Sequence, residues 1–153
     1  MPKTINFGPY SIKNLKTFRG KAGTGGYTCA VYNEKTKIIL ASDPDTGGPV
    51  HLNYVGGRKD NPEVIAIKDF ADKAFPDNVE TVECLINAMV DAKLHVDWVK
   101  RQCKKNTMFR VKGDKEGSYR TIKHPYCGEV MNHLHQNYGA LIELYNGEGK
   151  RII

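Results

Sequence analysis

Apolar residues recur at steps of three and four through residues 78–105, at Val82, Leu85, Met89, Ala92, Val96, Val99 and Cys103. That spacing keeps side chains on one helical face, so the run predicts one long central helix with a buried stripe. Asp77 or Asn78 suits its start, because a short side-chain oxygen accepts from the free N–H groups of a first turn. Glu80 and Glu83 fit the positive end of the helix dipole, and Lys100, Arg101, Lys104 and Lys105 gather at the opposite end. Ile86, Val90, Leu94 and Trp98 widen the apolar surface beyond one seam. The helix is therefore expected to pack on a sheet on one side and on a second element on the other.

Before this helix the period is two. In residues 10–19, Tyr10, Ile12 and Phe18 share one alternating face, which predicts a strand. Residues 20–26 hold four glycines and break regular structure, as a flexible hairpin loop would. Residues 27–32, 37–41 and 50–55 read as three more strands, separated by turn-rich segments at 33–36 and 43–49, and the four make an antiparallel meander. Asn61 and Pro62 open a short helix to about Ala74, burying Ile65, Phe70 and Ala74 or their neighbours, and Phe75-Pro76-Asp77 ends it. Beyond the long helix, 107–112 and 118–123 flank a glycine-bounded turn and predict a hairpin. Residues 129–138 form a helix through Val130, Leu134 and Tyr138 that Gly139 can terminate. Residues 140–145 fit a final strand or a helical turn, and 147–153 look frayed. The order predicts an α+β fold: an N-terminal antiparallel β-meander, a long central helix, and a C-terminal β-hairpin and helix. A length of 153 residues suits a single domain over 1–153, with a sheet module 1–60 and a helix-hairpin-helix module 61–153 as the alternative division.

Composition narrows the setting. No run of some 18 apolar residues is present to cross a bilayer, so no membrane partner is expected. The start Met-Pro-Lys-Thr-Ile-Asn-Phe-Gly lacks the apolar core of a secretory signal, which points to a cytoplasmic location. Cys29, Cys84, Cys103 and Cys127 are irregularly spaced and read as free thiols. Charge is segregated. Residues 1–59 carry nine Lys or Arg against three acids, 60–99 carry nine acids against three lysines, and 100–123 carry nine basic residues against two acids. Such blocks support a basic face for phosphates or an acidic partner better than net charge alone does, with a solvated surface whose halves partly neutralise one another as the alternative.

Candidate chemistry is sparse. Lys21 comes before Gly23, Gly25 and Gly26 rather than Lys and Ser or Thr following them, and a strand follows instead of a helix. Neither a P-loop nor a dinucleotide fingerprint is present, and no cofactor is expected. His124, Cys127, His133 and His135, with Cys103 nearby in space, are the one metal-like group. Residues two apart on a helix diverge by about 200°, so His133 and His135 should not share an ion, and no metal is assigned. Cys127 beside His124 could pair thiolate with imidazole, Glu129 could face His133, and Asp43 with Asp45 or Asp91 with His95 could exchange protons. Turn, cap and surface roles account for all of them, and no catalytic residue is assigned. The basic stretch is the feature that stands out: Lys100, Arg101, Lys104, Lys105, Arg110, Lys112, Lys115, Arg120 and Lys123, interleaved with Phe109 and Tyr119. Cations neutralise phosphates and an exposed ring stacks on a base; the alternative is that both rings are core.

Several stretches carry a resemblance. Ser11-Ile12-Lys13-Asn14-Leu15-Lys16-Thr17-Phe18-Arg19-Gly20, Gly26-Tyr27-Thr28-Cys29-Ala30-Val31-Tyr32 and Gly47-Gly48-Pro49-Val50 look like small proteins of phages and mobile elements, as do Cys103-Lys104-Lys105-Asn106-Thr107-Met108-Phe109-Arg110-Val111-Lys112-Gly113 and Tyr119-Arg120-Thr121-Ile122-Lys123. The resemblance brings no catalytic residues. It implies a setting, the host cell's cytoplasm, in which host-directed inhibitors and nucleic-acid-binding accessory proteins are common. The expected function is a non-enzymatic phage-type binding protein engaging nucleic acid or a host nucleoprotein, as an anti-defence inhibitor. A protein-only inhibitor acting through the acidic helix face and glycine loop is the alternative, and a thiol- or metal-dependent enzyme the third.

Overall fold

The computed structural model describes residues 6–153. Lys3 and most of the segment from which a leader was judged lie outside the described residues. The chain is an α+β protein with an N-terminal antiparallel meander, a long helix, and a C-terminal sheet and helix. It divides into two compact units, one ending at Ala92 and one running from Lys93 to Ile153. Among the described residues, no helix is long and apolar enough to cross a membrane.

In the first unit, β1 (Tyr10–Phe18), β2 (Gly26–Asn33), β3 (Thr36–Asp43) and β4 (His51–Tyr54) pair in chain order, each antiparallel to the next. Alternation puts Tyr27, Cys29, Val31, Ile39 and Ala41 on the inner face, where they meet Ile67 and Ala71 of α1 (Pro62–Ala74). Val82, Leu85, Ile86, Met89 and Val90, from the first half of α2 (Thr81–Cys103), complete this core. Asn61 caps α1 as its composition predicts, its side chain accepting from the Glu63 N–H at 3.0 Å.

Two expectations fail here for local reasons. β1 is interrupted between Lys13 and Lys16, where Asn14 adopts a left-handed φ of 57°, and the extra residue reverses the alternation. Leu15 consequently packs on the core, and Phe18 is left 43% exposed. On α1, Ile65 faces solvent, because the buried line runs instead through Ile67 and Ala71 with Val64, Phe70 and Phe75 beside it. The glycine loop is tied as well as tight. Buried Asp45 accepts from the Gly20 N–H at 2.7 Å, the Thr24 N–H at 3.1 Å and the Thr24 hydroxyl at 2.7 Å, while its own carbonyl accepts from the Ala22 N–H.

In the second unit, β5 (Thr107–Val111) is the central strand of a three-stranded sheet, flanked by β6 (Arg120–Ile122) and β7 (Leu141–Leu144). One face carries Phe109 and Leu144 onto Val130 and Leu134 of α3 (Gly128–Asn137). The other carries Met108 onto Val99 and Cys103 of α2. α2 is shorter than the run of 78–105: the Glu80 carbonyl accepts its first N–H, from Cys84, and Lys104 and Lys105 fall in the turn beyond it. Its stripe is also interrupted, since Val82 to Val90 belong to one core and Val99 with Cys103 to another, leaving Ala92, Leu94 and Val96 exposed. α3 ends at Tyr138 in an extended conformation without a left-handed glycine at 139. Residues 147–153 are structured: Asn146 accepts from the Glu148 and Lys150 N–H groups, and Arg151 pairs back on Tyr145.

Candidate nucleic-acid interface

β5 decides the fate of the aromatic residues, because neighbours along a strand point to opposite faces. Phe109 is fully buried against α3, edge-on to Tyr138 at 4.9 Å between ring centres. It is a core residue. Tyr119 goes to the other face and joins α2, its ring 6.0 Å from Trp98, 6.0 Å from His95 and 6.1 Å from Tyr145. His95 and Trp98 are three residues apart on one helix face and lie 5.9 Å from each other. His95 Nε2 and the Tyr119 hydroxyl are 3.5 Å apart. His95 is exposed and Trp98 is 37% exposed, so this cluster opens to solvent at its α2 edge.

Beneath the rings runs a polar network. The Tyr145 hydroxyl donates to Glu143 Oε1, and Arg110 Nη1 donates to Glu143 Oε2 at 2.9 Å. Burial opposes charge on Glu143, but the hydrogen bonds from Tyr145 and Arg110 outweigh it and hold its carboxyl below the usual range. Burial, with the carboxylate it donates to, raises Tyr145 and keeps it a phenol. The network fixes the rear of Tyr145, against which Tyr119 rests, so the ring cluster is held from behind.

The nine basic residues are not one surface. Arg110 is committed to Glu143, and Arg120 to Asp114 through Nε at 3.0 Å and Nη2 at 2.8 Å, with its guanidinium 5.8 Å over the Tyr138 ring. The Arg120 hydrogen bond, helped by the Val111 N–H, drops Asp114 to about 2. Both arginines therefore serve the sheet. Lys100, Arg101, Lys104, Lys105, Lys112, Lys115 and Lys123 are exposed and make no ion pair among the described residues. Pairing of Thr107 with Ile122 sets Lys123 at the end of the hairpin where Lys104 and Lys105 leave α2. Lys112 and Lys115 occupy the other end, about 17 Å or more from Thr107 at 3.3 Å per strand residue. On α2, Arg101 follows Trp98 three residues on along the same side, about 4.5 Å along the axis, whereas Lys100 diverges from Trp98 by about 200°, and Lys104 and Lys105 lie in the turn beyond the helix end. Sequence pattern alone assigns Trp98 to the apolar surface of the helix and His95 to a pair with Asp91. A lone tryptophan with a histidine three residues before it, next to a basic helix end, is the signal that could have found the cluster.

Of the other candidates, His124, Glu129 and His133 line one small cavity with Ile122 and Val130. Cys127 Sγ is 3.9 Å from His124 Nδ1, yet that same nitrogen sits 2.7 Å from the Pro125 carbonyl, which can only accept. In that tautomer Nδ1 carries its proton and has no lone pair for the thiol. His133 faces Asn137, and Asp43 accepts from the Asp45 N–H in the turn. Among the described residues, no three His, Cys, Asp or Glu side chains converge as a metal site would require. Comparison with protein-family models, curated proteins and solved structures finds no match.

Proposed function

We propose that this chain is a non-enzymatic, phage-type binding protein that engages single-stranded nucleic acid, free or within a host nucleoprotein, and acts through that contact as an anti-defence inhibitor. One observation carries the reading: solvent-facing Trp98 and His95, backed by Tyr119, share a helix face with Arg101, and Lys104 and Lys105 follow in the turn beyond the helix end, all three cations exposed and making no ion pair among the described residues. A ring gives a base a stacking face, and the cations follow the backbone that leaves it. Duplex is a poorer fit, since its base faces are already stacked. The anti-defence setting rests on the resemblance alone.

Trp98 is the single tryptophan of the chain, so its fluorescence reports the site directly. Single-stranded RNA or DNA should quench it saturably, and duplex of the same sequence should quench it less. Trp98→Ala should weaken single-strand binding by about 1–3 kcal/mol, the usual worth of one stacked base. Equal binding of duplex, together with unchanged affinity of Trp98→Ala measured by anisotropy, would remove this reading and leave the protein-only inhibitor.

A further inference from the structure

The outer face of the N-terminal sheet has no part in the interface above. Strand pairing arranges its side chains in rows. Lys16 lies opposite Thr28, Thr28 opposite Ser42, and Ser42 opposite His51, so one row crosses all four strands as cation, hydroxyl, hydroxyl, imidazole. The next row on this face is apolar at its centre: Ala30 lies opposite Leu40, and Leu40 opposite Asn53. At the β1 end of that row Ala30 lies opposite Lys13, whose ammonium turns away over the Tyr32 ring, and the next residue is Asn14, in the bulge with φ of 57°. Bulges re-aim side chains, and this one carries Asn14 to the wall of a groove of about 480 Å³. Both rows, with Lys37, line it, and no Asp or Glu does.

Three features of the groove call for explanation. Leu40 is 48% exposed at the centre of a face that alternation would make polar. Two lysines and an imidazole line the groove with no opposing carboxylate. Two carboxamides bracket the apolar floor, each able both to donate and to accept. Adjacent rows on one face of a strand are about 7 Å apart. A ligand that meets all three conditions has an anionic group for the first row, a flat apolar body for the second, and hydrogen-bonding edges.

We propose that this groove binds a nucleotide, its phosphate on Lys16, Thr28, Ser42 and His51 and its base on Ala30 and Leu40 between Asn14 and Asn53. The volume is within the range of small-molecule sites. Charge complementarity carries the assignment, and the apolar floor separates a nucleotide from a bare anion. The same chemistry is offered by a free nucleotide and by the terminal nucleotide of a strand, and the test distinguishes them.

The full-length protein, labelled with nitrogen-15, is titrated with each of the four ribonucleoside monophosphates, with ribose 5-phosphate, with inorganic phosphate and with a 5′-phosphorylated dinucleotide. At least one monophosphate should shift the Thr28, Ala30, Leu40, Ser42 and His51 amides saturably. Ribose 5-phosphate and inorganic phosphate should bind more weakly. Lys16→Gln should lower affinity about five-fold, as loss of one charge-assisted hydrogen bond at a partly exposed site does. Leu40→Glu, a surface change that spares the core, should abolish binding, and Lys35→Gln in the β2–β3 turn should change nothing. Free monophosphates binding as well as the dinucleotide support a free nucleotide, whereas a clear preference for the dinucleotide supports a strand end. Shifts spread over surface lysines without saturation, inorganic phosphate binding as tightly as every nucleotide, or equal losses in Lys16→Gln and Lys35→Gln would each overturn the proposal. These readouts lie on the meander and are independent of Trp98, so the two sites fail or stand separately.

Discussion

Salt dependence offers the sharpest test of how many of the nine basic residues act together. Each phosphate neutralised on a single strand contributes about −0.7 to the slope of log K against log salt. If Arg101, Lys104 and Lys105 all engage, the slope is about −2.1, and affinity falls about eighteen-fold between 50 and 200 mM salt. Replacing Lys104 and Lys105 by Gln should reduce the slope to about −0.7 and cut the same loss to about three-fold. Replacing Lys112 and Lys115 by Gln should leave the slope near its original value. Those two residues stand at the far end of the hairpin, beyond the roughly 8 Å over which physiological salt lets exposed charges interact. The assay is anisotropy of a labelled single-stranded oligonucleotide at four or more salt concentrations for the wild type and both double variants. Equal slope changes in the two double variants would refute the argument that the basic stretch divides into a helix-end group and a hairpin-tip group. A flat wild-type slope would refute phosphate neutralisation itself.

Other consequences concern the scaffold. Leu134 is fully buried in a cluster with only Phe109, Val130 and Leu144 as its other buried members, so Leu134→Ala should cost about 3 kcal/mol, read by urea denaturation followed at Trp98. Gly149 has φ of +75°, and a Cβ there would stand 2.9 Å from Lys100 Cα. Gly149→Ala should therefore destabilise the second unit by about 1–2 kcal/mol from the left-handed backbone alone, visible as a lowered thermal midpoint. Asp45 is held at about 2, below its ordinary 3.8, by the Thr24 hydroxyl and the Gly20 N–H. Because the folded value is the depressed one, its contribution is complete above the ordinary value and is lost as pH falls from 3.8 toward about 2. Asp45→Asn should be less stable than wild type at neutral pH and should lose less stability over that acid interval; parallel acid limbs would remove Asp45 from the account.

The meander and α1 were legible because their signals are local: alternation between turn formers, and Asn61-Pro62 at a helix start. Non-local pairing was not. β7 joins the hairpin on the free side of β5 after an intervening helix, and this turns Glu143 into the partner of Arg110, 33 residues earlier. Nothing in the basic stretch itself says that Arg110 and Arg120 are spent on carboxylates. The bulge at Asn14 is hidden for a related reason, since asparagine tolerates a left-handed backbone without requiring one. Periodicity along α2 described an unbroken stripe, whereas two separate cores use its two ends. The exposed interval between them, with His95 and Trp98 at its edge, follows from where each core stops rather than from any pattern in the helix.

The bulge in β1 has a consequence for life in a crowded cell. Open sheet edges invite a second chain to add a strand, and the outermost strands here are poor templates for it. β1 is kinked and carries Lys13 and Lys16, while β4, β6 and β7 are only four, three and four residues long. A chain built this way offers little unpaired edge for a second copy to extend.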